Sequence, residues 1–307
     1  MFSIVVVNWN GQAFLEGFLG SLARQSCQDF RLHFVDNGST DDSLAIVKEY
    51  ECRIGIDLLA LDANLGFAEA NNRGIDRALA DPSDCIVTLN NDLELEADCL
   101  ERLAEAMEAR PEAGFFQILM INYYDRGLID AAGIGFSRHW EARQTAYGAP
   151  LSGLGELAVD IAAPCAGAAA YRKTALLEVK ERSGYFDSRF FAYYEDVDLG
   201  LRLKARGITG VLVKESRVYH VHSGTGGRDS AFKVYHLVRN RYLYLLKNLG
   251  AGEFRRARAF FLGKDLVNWA KMALRGKGGL AAAGMRGYRD YLRMAPEFDA
   301  GRQPKGS

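Results

Sequence analysis

The sequence predicts an α/β protein with a mostly parallel, Rossmann-like nucleotide-binding sheet flanked by helices, followed by a helical C-terminal extension. Three observations support this fold class. Short β-branched runs alternate with helical stripes through the first hundred residues. Polar and acidic residues follow several of these runs, where open parallel sheets bind their ligands. From residue 229 onward the pattern is helical.

The first hundred residues contain four strand–helix pairs. Each predicted strand is a short apolar run, and each predicted helix has apolar residues at helical spacing. The second helix has an N-cap signal at Ser39-Thr40, and Pro82 and Pro111 mark the ends of the third and fourth helices. The predicted strands are residues 3–7, 31–35, 56–61 and 85–89, and the helices are residues 12–25, from the cap to about 51, 67–80 and 96–109. This order implies parallel strands joined by right-handed crossovers.

After Gly114 the alternation becomes irregular. The candidate strands are residues 115–120, 133–136, 158–163, 166–171 and 210–213, and helices are predicted at 173–180 and 195–205. Three further helices are expected at about 229–249, 253–274 and 280–294. We therefore expect a nucleotide-binding and catalytic domain over residues 1–228 and a helical extension over residues 229–307.

Composition and motifs exclude several classes of protein. The net charge of −1 argues against nucleic acid as a partner. Five scattered cysteines without a CxxC pair indicate reduced thiols in a cytoplasmic protein. No apolar run reaches the roughly 20 residues of a membrane span, and the first residues lack the features of a signal peptide. The absence of GxxxxGK[ST], of HExxH and of GxGxxG after the first strand argues against a P-loop NTPase, a zincin and an ordinary dehydrogenase.

Two predicted strand–helix turns carry residues suited to a nucleotide. Asp36 and the following Asn37-Gly38-Ser39-Thr40 end the second strand, where a contact with a base or ribose competes with simple capping of the next helix. Asn64 and Gly66 precede the third helix, which carries Asn72. A ligand-facing role for these three competes with a plain turn and a polar helix face.

Two segments are candidates for a metal site. Asn90 and Asn91 follow the fourth strand and lead to Asp92, which together with donor phosphates would suit Mg²⁺ or Mn²⁺; a solvated turn is the alternative. His220 and His222 would lie on the same side of a strand. A metal or phosphate role for this pair competes with a structural one.

The segment Glu195-Asp196-x-Asp198 contains the candidate general base. Acids at a helix N-terminus also pair with the helix dipole, which is the alternative. The preceding Phe190-Phe191-Ala192-Tyr193-Tyr194 would raise the pKa of a neighbouring carboxylate and offer a surface for a sugar.

Tyr194 and Arg239 are candidates for contact with the acceptor or a phosphate. Arg239 lies on a predicted helix among tyrosines, so packing on a solvated face is the alternative for it.

Five separated motifs resemble family-two glycosyltransferases with a GT-A fold, over residues 3 to 245. The first and last motifs look most like the rhamnosyltransferase-type branch, which builds bacterial surface polysaccharide. The motifs are Val5-Val6-Val7-Asn8-Trp9-Asn10-Gly11, Val35-Asp36-Asn37-Gly38-Ser39-Thr40-Asp41, Asn64-Leu65-Gly66-Phe67 with Asn71-Asn72, Leu89-Asn90-Asn91-Asp92, and Phe186-Asp187 through Phe191 to Glu195-Asp196-Val197-Asp198.

The resemblance implies a role for each matching residue. Asp196, with Glu195 beside it, occupies the position of the catalytic base. Asn90 stands where the family usually has the first acid of Asp-x-Asp, which leaves Asp92 as the metal-binding acid beside His220 or its rival His222. The residues expected to bind the nucleotide are Asn8, Asn10, Asp36, Asn64, Gly66, Asn72, Asn90 and Asn91.

The resemblance also implies the reaction, which is inverting, metal-dependent transfer of a sugar from a nucleoside diphosphate to a hydroxyl of a glycan or polyprenyl-linked acceptor. Thymidine diphosphate rhamnose is the first choice of donor and a uridine diphosphate hexose the second. A nucleotidyltransferase would instead show a basic, glycine-rich loop after the first strand, where Asn8-Trp9-Asn10-Gly11 lies. An inactive sugar-nucleotide-binding subunit is the remaining alternative.

The C-terminal helices are strongly basic, with ten Lys or Arg and three acids between residues 253 and 293. A basic amphipathic helix favours contact with anionic lipid, which predicts a peripheral location at the inner face of the cell membrane. A helical lid and a homodimer interface are the alternatives.

Overall fold

A ten-stranded sheet forms the centre of the computed structural model, which describes residues 1–221 and 230–299. The strands are β1 (Phe2–Asn8), β2 (Phe30–Asp36), β3 (Ile56–Ala60), β4 (Cys85–Asn90), β5 (Leu93–Leu95), β6 (Phe115–Asn122), β7 (Ile129–Ala131), β8 (Ile134–Phe136), β9 (Ala142–Gln144), β10 (Asp160–Ile161), β11 (Ala168–Arg172) and β12 (Gly210–His220). The helices are α1 (Gln12–Ala23), α2 (Ser43–Tyr50), α3 (Gly66–Ala78), α4 (Cys99–Ala109), α5 (Lys173–Val179), α6 (Glu195–Ala205), α7 (Ala231–Asn248), α8 (Ala251–Leu274) and α9 (Gly278–Asp299).

Six strands of the sheet run in the same direction. The strand order is β10-β12-β6-β11-β4-β1-β2-β3, with β5 paired to β12 and β7 to β6. β3, β2, β1 and β4 pair in parallel, as do β6 and β12, while β11 is antiparallel to both β4 and β6. Helices flank this sheet, so the predicted fold class is confirmed.

Apolar side chains on both faces of the sheet explain why its central strands form. Ile4 and Val6 of β1 join a core that includes Phe18 of α1, whereas Val5 joins a second core that includes Ile75 of α3. Successive side chains of a strand point to opposite faces, so a continuous apolar run fits a strand that is covered on both sides.

Several element boundaries differ from the predicted ones. Residues 93–95 form β5, so α4 begins at Cys99 and not at residue 96. The strand predicted at 210–213 continues to His220. A register irregularity between Val213 and Arg217 interrupts the alternation of side chains, so the sequence pattern did not reveal the second half of the strand. β7 and β9 were not predicted, and the strand expected at 158–163 is reduced to Asp160–Ile161. His222 and the predicted domain boundary at residue 228 lie outside the described residues.

Lys247 of α7 joins the C-terminal helices to the sheet domain. Its ammonium lies 2.6 Å from Glu181, 2.9 Å from Asp187 and 2.8 Å from Asp198. The three carboxylates are close enough to one another to hold a metal ion, but the buried ammonium already neutralises charge among them. We interpret this cluster as a structural ion-pair network, with Asp198 as a member of it.

No helix within the described residues combines the length and apolar character needed to cross a bilayer.

Candidate active site

A cleft of about 990 Å³ opens where the parallel strands end. Residues at or just beyond the carboxyl ends of β1, β2, β4, β6 and β12 line it, in the arrangement expected for ligand binding by an open α/β sheet. Its lining includes Val7, Trp9, Asn37, Asn64, Gly66, Asn90, Asn91, Asp92, Met120, Arg143, Ala166, Phe191, Tyr193, Tyr194, Glu195, Asp196, His220 and Phe232.

Interlocked amides form one wall of the cleft. Asn37 donates from Nδ2 to Oδ1 of Asn64 at 3.0 Å, and its own Oδ1 accepts from the Leu65 amide at 2.8 Å. Gly66 has a φ of +84°, and a Cβ at this position would lie 2.6 Å from Phe191. Only glycine fits this turn, which brings Asn64 and Gly66 to the cleft.

Asn8 and Asp36 support the cleft from behind its lining. Asn8 donates to Oδ1 of Asp36 at 3.2 Å and accepts from Nδ2 of Asn91 at 2.6 Å. Asp36 also accepts from the Ser39 amide at 3.0 Å. A Cβ on Gly11 would lie 2.1 Å from Nδ2 of Asn91 and would force that amide to move. These contacts hold Asn91 at the cleft surface and occupy both oxygens of Asp36.

Asp92 and His220 meet inside the cleft. The antiparallel register of β5 and β12 pairs Leu93 with His220, which brings the preceding Asp92 to that histidine. Nε2 of His220 lies 3.3 Å from Asp92, and its Nδ1 lies 2.7 Å from Asp130 of β7. A histidine that binds a metal through one ring nitrogen usually donates a hydrogen bond from the other nitrogen to a carboxylate, which fixes the orientation of the ring.

The two carboxylates give this part of the cleft an affinity for positive charge. Burial alone would lower the pKa of His220, but hydrogen bonds from the imidazole to Asp130 and Asp92, together with their charges, raise it to about 9. A carboxylate and an oriented imidazole also form a donor set that suits Mg²⁺ or Mn²⁺ when phosphate oxygens and waters complete the shell.

The adjacent acids Glu195 and Asp196 have different pKa values because their surroundings differ. Burial, and then the charge of Asp196, raise the pKa of Glu195 well above its ordinary value. Burial also raises the pKa of Asp196, but hydrogen bonds from the amides of Ala166 and Val197 limit the increase, to about 6. As the pH rises, Asp196 therefore loses its proton before Glu195 does.

The loop before these acids has an unusual backbone. Phe191, Tyr193 and Tyr194 all have positive φ, between 67° and 70°. Such conformations cost about 1–3 kcal/mol each for residues other than glycine, and they persist where the surroundings impose them. All three residues line the cleft, and Tyr194 packs against Tyr244 with ring centroids 5.0 Å apart.

Besides Asn8 and Asp36, the structure places three more predicted ligand contacts outside the cleft lining, namely Asn10, Asn72 and Arg239. Asn72 binds the backbone of Tyr185 and Phe186 through both ends of its amide. Arg239 is buried and donates to the carbonyls of residues 189 and 190. Asn10 is exposed, and its Oδ1 accepts from the Thr40 amide. The polar groups of Asn72 and Arg239 are thus committed to holding the fold together.

Three residues of the site were missed in the sequence. Asp130 lies within a short apolar run, and a buried acid in such a run was the available signal. Arg143 and Phe232 line the cleft but belong to no motif. Their position depends on the packing of β9 and α7, which local sequence does not reveal.

Curated relatives are glycosyltransferases. An N-acetylglucosaminyl-diphospho-decaprenol L-rhamnosyltransferase of Mycobacterium tuberculosis is 28% identical over 267 residues, which cover 79% of this chain and 83% of that protein. A PGL/p-HBAD biosynthesis glycosyltransferase of Mycobacterium bovis is 40% identical over 105 residues, covering 34% of this chain. The chain spans only 40% of the length of this second relative.

Solved structures of other proteins share the fold of this chain. S. aureus TarS (residues 1–349) in complex with UDP-GlcNAc has a TM-score of 0.59 and 17% identity, with 98% of this chain and 83% of that chain covered. The mannosyltransferase PcManGT from Pyrobaculum calidifontis, in complex with GDP-Man and Mn²⁺, has a TM-score of 0.56 and 13% identity, with 98% and 87% covered.

A family model for glycosyl transferase family 2 matches residues 3–179, which is more than half of the chain. The chain therefore belongs to glycosyl transferase family 2.

Proposed function

We propose that this glycosyltransferase moves L-rhamnose, with inversion, from thymidine diphosphate rhamnose to a hydroxyl of a polyprenyl-diphosphate-linked glycan in bacterial surface polysaccharide synthesis. The observation that carries the chemistry is the charged carboxylate of Asp196 in the same cleft as the Asp92–His220 pair. The choice of sugar and acceptor is supported by the name of the Mycobacterium tuberculosis relative, which aligns with 79% of this chain.

Asp196 acts as the general base. Its carboxylate accepts the proton of the acceptor hydroxyl while that oxygen bonds to the anomeric carbon from the face opposite the diphosphate. The bond between the anomeric carbon and the diphosphate oxygen breaks, and its electron pair leaves with the nucleoside diphosphate. The pKa of Glu195 is raised by burial and then by the charge of Asp196, so Asp196 ionises first, because two adjacent buried carboxylates resist ionising together.

Asp92 and His220 line the part of the cleft that receives the diphosphate of the donor. These residues would hold Mg²⁺ or Mn²⁺, which when bound neutralises charge that develops on the diphosphate. Asn64, Gly66, Asn90 and Asn91 bind the nucleotide, since they line the same cleft as this pair. Asn8 and Asp36 act indirectly, by holding Asn91 and the turn after β2.

Replacing Asp196 by Asn tests the assignment of the base. We expect kcat for rhamnosyl transfer to fall by about 10²- to 10⁴-fold, because the amide accepts no proton. Thymidine diphosphate should still raise the melting midpoint of the variant. The wild-type rate should fall as pH drops below about 6, the pKa of Asp196, because the protonated acid is inactive as a base.

The matched control is Asp62→Asn, which removes a carboxylate that is exposed and lies outside the cleft lining. It should retain full activity. Activity of Asp196→Asn equal to that of this control would refute the assignment, and a wild-type protein that binds thymidine diphosphate but never transfers sugar would favour the inactive-subunit alternative.

Replacing Asp92 by Asn tests the metal site. In the wild type, Mn²⁺ should increase the rise in melting midpoint that thymidine diphosphate causes, because an ion held by Asp92 and His220 would add an attraction for the diphosphate charge. The variant should lose this metal-dependent part and keep the metal-independent part, while Asp62→Asn keeps both. An undiminished Mn²⁺ effect in Asp92→Asn would place the ion elsewhere.

The outward face of α8 docks the enzyme on an anionic membrane. Basic and apolar residues share this face, which includes Leu266 and the 89%-exposed Leu274. The acids of α8 are Glu253, which is half-buried, and Asp265, which is buried against Arg241. The face therefore complements anionic lipid through both charge and apolar contact. Its exposed cations are Arg255, Arg256, Lys264, Lys271 and Arg275.

α8 also contacts the rim of the cleft. Lys264 lies 2.5 Å from Glu141, and Phe260 stacks on His139 with ring centroids 4.1 Å apart. Arg143, two residues after Glu141, lines the cleft. A membrane-bound α8 would thus hold the cleft close to a lipid-linked acceptor.

Vesicle co-sedimentation tests the docking surface. The wild type should bind vesicles that contain phosphatidylglycerol, less so at high salt, and should not bind pure phosphatidylcholine. Changing Arg255, Arg256, Lys271 and Arg275 to Gln should weaken binding at least about 100-fold, since each basic residue near such a surface contributes about 1 kcal/mol. Gln at four other exposed cations is the control, namely Arg24, Lys48, Arg53 and Lys204.

Equal losses in the two fourfold variants would mean that only net charge matters. Absence of binding to anionic vesicles would remove the membrane role, and a concentration-dependent dimer that the α8 variant disrupts would assign the face to a second copy of the chain.

A further inference from the structure

The backbone before Asp196 folds into two successive unfavourable turns. At Phe191, φ is 67° and ψ is −64°, and the Ala192 amide donates to the carbonyl of Phe190 at 2.8 Å, which closes a γ-turn of the rare positive-φ kind. Tyr193 and Tyr194 follow with φ of 69° and 70°. α6 then begins at Glu195, so the geometry of these turns determines where the first residues of α6 point.

A single buried amide on α7 binds most of this loop. Nδ2 of Asn240, which is fully buried, donates to the carbonyls of Phe190 at 2.9 Å, Ala192 at 2.8 Å and Tyr193 at 2.8 Å. All three partners are acceptors, so the NH₂ group and not the oxygen of the amide must face the loop.

Arg239 fixes the orientation of that amide. Its Nε donates to Oδ1 of Asn240 at 2.8 Å, and its Nη2 donates to the carbonyls of Phe190 at 2.7 Å and Arg189 at 3.3 Å. Neither Arg239 nor Asn240 belongs to the cleft lining. The pair therefore contacts the backbone of the loop and does not itself line the cleft.

α3 holds the loop from the other side. The Ala68 amide donates to the carbonyl of Phe191 at 3.1 Å, and Gly66 leaves the space that Phe191 occupies. The loop is thus held between two helices. On one side is the start of α3, next to the cleft wall formed by Asn37 and Asn64, and on the other is the middle of α7. Strained conformations of this kind are kept only where the surrounding structure imposes them, and they often serve to preorganise a site.

We infer that Arg239 and Asn240 are positioning residues, which hold the 190–194 loop so that the carboxylate of Asp196 meets the acceptor hydroxyl. The inference rests on the proposed role of Asp196 as the base. Proton transfer needs the base within about 2.6–3.2 Å of the hydroxyl oxygen, and a displacement of about 1 Å costs on the order of 100-fold in rate. We therefore expect Arg239 and Asn240 to affect kcat, which reports the chemical step, and to have little effect on binding of the donor.

Asn240→Asp is the sharpest test, because the variant has the same shape but turns a carboxylate oxygen toward three carbonyl oxygens. We expect kcat to fall about 100-fold or more in the folded protein, with KM for thymidine diphosphate rhamnose changed less than about threefold. The acidic limb of the pH profile should also move from its wild-type position, since the surroundings of Asp196 change. Folding of each variant is checked by circular dichroism and its melting midpoint.

Asn248→Ala is the matched control. Asn248 lies two turns further along α7 and donates to Asp198 and to the carbonyl of Tyr244, two partners outside the 190–194 loop. It should lower the melting midpoint while kcat stays within about threefold of wild type. If Asn240→Asp fails to fold, Arg239→Lys replaces it, because lysine keeps the charge but not the fork of donors; about a tenfold fall in kcat is expected.

Wild-type kcat and an unshifted pH profile in folded Asn240→Asp, or in Arg239→Lys where the first variant does not fold, would overturn the inference. A fall in kcat no larger than that of Asn248→Ala at equal loss of stability would do the same. Failure of the proposed function has a different signature, because Asp196→Asn would then be as active as wild type, or the wild type would transfer no sugar.

Discussion

Six strands of the sheet run in one direction, so their carboxyl ends meet along one edge. This constraint brings together residues as far apart in the chain as Asn8 and His220. The shared direction also exposes backbone and side-chain polar groups at that edge. These groups form hydrogen bonds with one another or with a ligand. Asn8, Asp36 and Asn91 satisfy one another. Asp92, Glu195 and Asp196 retain charge or unmet hydrogen-bonding capacity; Oε2 of Glu195, for example, is buried without a hydrogen-bond partner among the described residues. The chemistry of the cleft follows from this second group.

The parallel half of the fold was predictable because its strands are long and apolar enough to show their pattern. β1 to β4 each have at least five residues, and turn signals or prolines separate them from the helices. β5, β7 and β9 have three residues each, which is too short for an alternation to appear. These short strands carry consequences for the site, since β5 brings Asp92 to His220 and β7 supplies Asp130. The extent of β12 was hidden by its irregularity near residues 213–217.

Residue types indicated the chemistry of the site, but tertiary contacts decide which residues are available for it. The sequence offered Glu195, Asp196 and Asp198 as candidate bases. Lys247 pairs with Asp198, burial raises the pKa of Glu195 well above its ordinary value, and two backbone amides limit the rise in the pKa of Asp196 to about 6. Asn72 and Arg239 have side chains well suited to a ligand, yet carbonyl groups from distant segments occupy them. Arg239 and Asn240 show that the C-terminal extension reaches the backbone around the predicted base, an arrangement that no local pattern encodes.

The anomeric configuration of the product tests the central claim most directly. In the proposed reaction Asp196 serves only as a general base, so the acceptor oxygen displaces the diphosphate directly at the anomeric carbon. Nuclear magnetic resonance of the product made from thymidine diphosphate rhamnose and a polyprenyl-diphosphate-linked N-acetylglucosamine should therefore show the configuration opposite to that of the donor. A product with the configuration of the donor retained would contradict the role of Asp196 as a base in a single displacement.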